Sequence, residues 1–222
     1  MIANIHKFLL TAVVMTASIA NAAEINEDVL MRHDDARESR DRILMAELAH
    51  ARATNSLDMG RFVFDLDSRL YQVNAVPRLT LLESQLRLRQ AQIGDRVALN
   101  VKATAVIEEQ IDNLRASWRG QGGSSADLQG LAKLLVEKRK LRVAMIEGNL
   151  GDFTDIAKVR NEIYEMNKDA MSTEAVSKQE TQESYYNARQ SNEDVSISSR
   201  DLAFAKASLE DALKDLAAAS QR

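Results

Sequence analysis

Along most of this chain, large apolar residues return every three or four positions, the spacing that puts them on one face of a helix. The clearest stripe is Leu79, Leu82, Leu86, Ile93, Val97, Val101, Ile107, Ile111, Leu114 and Trp118. It predicts a helix from Leu79 to about Trp118, on the order of 60 Å long. Before it, Ile43, Leu44, Leu48 and Ala51 predict a first arm from about Asn26 to Gln72. That arm opens on a charge-dense stretch, Arg32 to Arg42, which reads as a solvated helix face. The pattern weakens over Ser56 to Gly60, and Phe62-Val63-Phe64 is expected to be locally extended or kinked. After the second arm, the run from Gly120 to Ser125 reads as a break, with Ser124 or Ser125 placed to cap the next helix.

Leu128, Leu131, Leu135, Leu141 and Ile146 predict a third arm over about 126–147. A fourth is expected from Asp152 to about Ser220. It ends in a heptad seam, Leu202, Ala205, Leu209, Ala212 and Leu216, whose alternation of Leu and Ala suits close approach of neighbouring helices. Its middle, Lys168 to Ser199, is rich in Ser and Thr and reads as a helix wetted on several sides or as a flexible stretch.

Two stretches between these arms share a pattern at an offset of 74 positions: Val76-Pro77-Arg78-Leu79-Thr80-Leu81-Leu82 and Leu150-Gly151-Asp152-Phe153-Thr154-Asp155-Ile156. Each has an aliphatic residue, Pro or Gly, a charge, a large apolar residue, Thr, and two positions on a Leu or Ile. A repeated reversal sets the architecture. The expected fold is all-α: long antiparallel, coiled-coil-like hairpins with tips near residues 74–80 and 148–154. Hairpin 1 spans about 26–119 and hairpin 2 about 126–220, joined by the Gly-rich turn 120–125 in one elongated domain, 23–222. Pro77 and Gly151 would shape the turns, and Thr80 and Thr154 would cap the outgoing helices. The apolar tip residues would either staple each hairpin closed or dock on another hairpin.

Composition agrees. A single Pro in 222 residues permits long uninterrupted helices, and 5% aromatic content suits narrow helix seams. A net charge of -4, with no basic stripe, argues against nucleic acid as a partner. Lys7, the uncharged apolar run Phe8–Ala20 and Ala20-Asn21-Ala22 read as a cleavable signal peptide over 1–22, which predicts export to the periplasm. The chain has no Cys, so disulfides, thiolate metal sites and lipid attachment at a cysteine are excluded.

No enzyme is expected. Glu47-Leu48-Ala49-His50 has the Glu-x-x-His spacing of di-iron bundles, but such a site needs two of these and two more Glu. His33, the other histidine beyond the signal segment, lacks a Glu three residues earlier. The Gly120–Gly123 run lacks the Lys-Ser/Thr of a phosphate loop, and no nucleophile elbow is present. No catalytic, cofactor or metal residues are assigned.

The Leu150–Ile156 motif between long helices of an exported chain resembles the periplasmic hairpin tips of the outer-membrane efflux protein (TolC) family. Val76–Leu82 matches less fully, with Leu81 where an acidic residue often stands. No series of alternating strands that would build that family's membrane barrel is found. The resemblance implies a helical component of an efflux or type I secretion assembly, in association with the outer membrane. Its docking tips would be Val76, Pro77, Arg78, Leu79 and Thr80, and Leu150, Gly151, Asp152, Phe153, Thr154 and Asp155. The implied partners are a periplasmic adaptor (membrane fusion) protein or another hairpin protein, and further copies of the chain, a trimer by resemblance. The alternatives are an adaptor-like coiled-coil module and a periplasmic spacer or holdase chaperone.

Overall fold

The computed structural model describes residues 35–121 and 124–221. The expected signal peptide and the start of the first arm lie outside the described residues, as do Gly122 and Gly123 of the turn. The chain divides into residues 1–38 and 39–222, and the packing below is that of the second unit. Among the described residues the fold is all-α, in four long helices: α1 Asp35–Gln72, α2 Arg78–Gln121, α3 Ser125–Met171 and α4 Lys178–Ala219. The longest, α3, has 47 residues and spans roughly 70 Å at ~1.5 Å per residue.

Each helix runs antiparallel to the next. Along α1 and α2, Arg42 meets Asp112, Glu47 meets Lys102, and Thr54 donates to Asp95, so residue numbers fall on one helix as they rise on the other. Along α3 and α4 the same order appears in Gln129–Ser220, Glu147–Lys206 and Arg160–Ser191. Between the hairpins, Leu114 lies against Gly130, Glu108 meets Lys138, and Arg78 meets Glu162, making α2 and α3 the shared seam.

The packed faces of α1 and α4 keep strict heptad spacing. On α4 every position from Thr181 through Ser184, Ala188, Ser191, Val195, Ser198, Leu202, Ala205, Leu209, Ala212, Leu216 and Ala219 is buried or half-buried. The Leu/Ala seam therefore faces α3 of its own hairpin, with Ala205 at 4% exposure. Toward the reversal the seam consists of Thr, Ser and Ala, small side chains that let the helices approach closely. Their hydroxyls are satisfied locally: Ser184 donates to the Thr181 carbonyl and Ser191 to that of Asn187. The stretch 178–199, polar in sequence, is thus helical with a small-residue core face.

On α1 the inner positions Ser39, Ile43, Ala46, His50, Ala53, Leu57, Gly60, Phe64, Asp67 and Tyr71 follow the same alternation, all buried or half-buried. Phe62-Val63-Phe64 is regular helix, contrary to the expected extension or kink. A Cβ at Gly60 would meet the Leu88 backbone at 3.5 Å, an ordinary van der Waals contact, so α1 and α2 lie close here with room for a methyl group. His50 lies 3.7 Å from Asp95, a contact that ties α1 to α2.

Candidate functional site

The two reversals have one construction. In the first, Asn74 adopts φ +56°, its N–H donates to the Tyr71 carbonyl, and the Ala75 N–H donates to that of Leu70. In the second, Glu174 adopts φ +58°, its N–H donates to Met171, and the Ala175 N–H donates to Ala170. These are Schellman endings: a left-handed residue stops the helix while its own amide and the next one satisfy the helix's last carbonyls. Both are followed by Ala-Val, a helix-starting residue and a cation: Ala75-Val76-Pro77-Arg78 and Ala175-Val176-Ser177-Lys178. The internal period is therefore 100 residues, from Asn74 to Glu174.

The outgoing helices begin differently. Pro77 precedes α2 with its fixed φ, and Thr80, expected as a cap, lies inside the first turn with its N–H on the Pro77 carbonyl. Ser177 heads α4 in a reciprocal box: its hydroxyl accepts from the Glu180 N–H, and the Glu180 carboxylate accepts from the Ser177 N–H. That backbone bond, followed by the Ser177 side-chain bond, holds the Glu180 pKa below its ordinary value. Ser124, one of the two expected caps, forms the matching box with Asp127 at the start of α3.

Because α1 and α3 run in the same direction, both reversals lie at one end of the bundle. The α2–α3 pairing carries the second roughly one and a half helical turns, ~8 Å, beyond the first. Val73 is 71% exposed, and Asn74, Ala75, Pro77, Glu174 and Ala175 are also exposed. Val76 is half-buried, as are Leu79 and Thr80 in the first turn of α2. Arg78 is held by Glu162 of α3 at 2.9 Å and lies over the Tyr71 ring.

Leu150 to Asp155, expected as the second tip, lie inside α3, more than fifteen residues before its end. Leu150 and Phe153 are half-buried, Gly151 is an exposed helical residue, and Thr154 donates back to the Leu150 carbonyl at 2.7 Å. The expected third and fourth arms, broken near residue 150, are accordingly replaced by α3 and α4. Gly inside a helix costs only about 1 kcal/mol, which a long packed helix absorbs. Asp152 has partners that a turn would not supply. It is 5% exposed and accepts from Arg96 at 2.9 Å and Arg89 at 3.2 Å, while Arg96 also donates to Asn149 and Arg89 reaches Asp155 at 2.8 Å. Gly148 makes room for this cluster, since a Cβ there would lie 2.6 Å from Arg96 Nε. Leu150–Asp155 therefore form no hairpin tip, contrary to expectation, and Asp152 is buried among its arginine partners. These residues lock one hairpin to the other.

The sequence signal for the second reversal was the Ala-Val repeat at offset 100 together with the Ser177-x-x-Glu180 box. Neither Gly nor Pro marks the place, because Glu174 takes the left-handed conformation usually left to Gly or Asn.

Among the described residues no group of three His, Asp or Glu is gathered as a metal site requires, and no helix is long and apolar enough to cross a membrane. No protein-family model, curated protein or solved structure matches the chain.

Proposed function

We propose that this protein is an exported, non-enzymatic docking component of an efflux or type I secretion assembly, TolC-like in presenting paired helical hairpins. It acts through protein contacts at the end where its two reversals lie together. The observation that carries this reading is the duplicated Schellman reversal, which sets two similar exposed ends, Val73–Pro77 and Thr173–Ser177, beside each other. A rigid pair of helix ends is suited to capping or interdigitating with another helical hairpin. The expected partner is a periplasmic adaptor or a second hairpin protein. The Leu-Gly-x-Phe-Thr-Asp-Ile motif no longer supports the reading, which rests on architecture alone.

Photo-crosslinking in the native cell, with the probe at Val73, at Ala175 and at the exposed body position Glu137, tests it. One discrete partner captured from both tips and not from Glu137 is the expected result. Equal capture from all three positions overturns end-on docking. The holdase alternative draws on the large apolar residues exposed along α1, Met59 at 64% and Phe62 at 65% among them. Their regular heptad spacing suits one helix better than varied unfolded clients, and suppression of client aggregation by the purified chain would favour the holdase.

A further inference from the structure

Helix α1 carries a second heptad stripe on the face opposite α2. Met45, Leu48, Met59, Phe62, Leu66 and Val73 lie on it in three- and four-residue steps, with Arg52, Asn55 and Arg69 filling the gaps. The inner seam already occupies the other side of the helix, so this stripe does no work in the hairpin. Its apolar members and neighbouring Leu44 are exposed by 45% to 71%.

We propose that this stripe is a homodimer interface on which α1 of a second copy packs antiparallel. Area supports it. The six residues from Leu44 to Leu66 present roughly 600–700 Å² of apolar surface, taking ~200 Å² for a large side chain. A typical monomer's largest apolar patch is about 300–600 Å², and a standard interface buries about 800 Å² per partner, which flanking polar residues would bring within reach.

Charge selects the direction. A parallel pairing would set Arg52 on Arg52 and Arg69 on Arg69 of the second copy, and like charges face to face destabilise helix pairs. An antiparallel pairing centred between Ala53 and Thr54 sets Met45 against the second copy's Phe62 and Leu48 against its Met59. Arg52 then meets Asn55, whose side-chain carbonyl can accept its hydrogen bond. Two apolar clusters therefore flank one polar centre, and that centre disfavours other registers. Asp58 stays apart from its own copy and keeps its intrahelical partner Arg61 at 3.3 Å. This two-fold pairing stands in place of the trimer that the family resemblance implies, and it does not depend on what the tips bind.

The test is the mass of the purified chain by light scattering and sedimentation, for wild type and for Phe62→Glu, with circular dichroism to verify helix content. The expected result is a wild-type dimer and a folded Phe62→Glu monomer, the dissociation constant rising at least 100-fold. Since the chain has no native Cys, single Met45→Cys and Phe62→Cys variants report direction. A mixture should form the heterologous disulfide while neither alone crosslinks. A monomeric wild type at ~100 µM, a dimer indifferent to Phe62→Glu, or efficient self-crosslinking of Met45→Cys would each overturn the proposal. Should Phe62→Glu fail to fold, Met59→Gln carries the same comparison.

Discussion

Replacing Asp152 by Ala tests the assignment of residues 150–156 to the inter-hairpin lock. The carboxylate is only 6% exposed, whereas Arg89 and Arg96 are 31% and 32% exposed. Removing one member of a fully buried ion pair costs about 3–5 kcal/mol, chiefly because the other charge is stranded. Here the stranded charges reach water and retain partners, Arg89 on Asp155 at 2.8 Å and Arg96 on Asn149 at 2.8 Å. What is lost is two charge-assisted hydrogen bonds, worth about 1.5–3 kcal/mol each before the Asp desolvation cost is recovered. The expected net loss is about 2 kcal/mol, or a Tm lower by about 4–8 °C for a domain of this size. Urea denaturation followed by circular dichroism measures it, and a cycle with Arg96→Ala should give a coupling of about 1–2 kcal/mol. A loss below ~0.5 kcal/mol with no coupling would refute the reasoning, as an exposed tip aspartate would behave that way.

Three further outcomes follow from the same geometry. Gly151→Ala should stabilise the protein by about 0.5–1 kcal/mol, since the site is helical and open, whereas Gly148→Ala should gain nothing or lose stability by pushing Arg96 off Asp152; thermal melts compare the two. Glu174→Gly should raise Tm by relieving the left-handed backbone, and Glu174→Val should lower it by more, because a β-branched residue resists φ near +58°. Acid should fray the start of α4: the Glu180 pKa is depressed in the fold, so its contribution is complete above its ordinary value of 4.5 and disappears as pH falls through the lower folded value. Hydrogen exchange at the Glu180 amide should report that loss, and Glu180→Ala should remove the pH dependence.

Helix content and the first reversal were legible because apolar spacing, one Pro and the exit at Gln72 agree. The second reversal was misplaced by matching chemical classes around a glycine. Gly151 looked like a turn because its neighbours resembled those of Pro77, yet the residue that decides is Asp152, whose partners lie 56 and 63 positions away in sequence. Nothing local announces such a pairing. Glu174 was obscure for the opposite reason, being a left-handed residue of a type that rarely adopts that backbone. The α4 seam was read on the correct face, but sequence alone does not say whether a seam meets its own hairpin or another molecule.

The Arg89–Asp152–Arg96 cluster also acts as a vernier. Much of the α4 seam is Ser and Ala, which distinguish poorly between neighbouring registers, and the α2–α3 seam is where the two hairpins are indexed against each other. Asp152 sits between two arginines spaced seven residues apart, so a slide of α3 past α2 by one heptad takes it away from one of them. These charges, more than twenty residues below the second reversal, thus help to fix the relative height of the two reversals. Substitutions far from the tips can then shift one reversal against the other while leaving both intact.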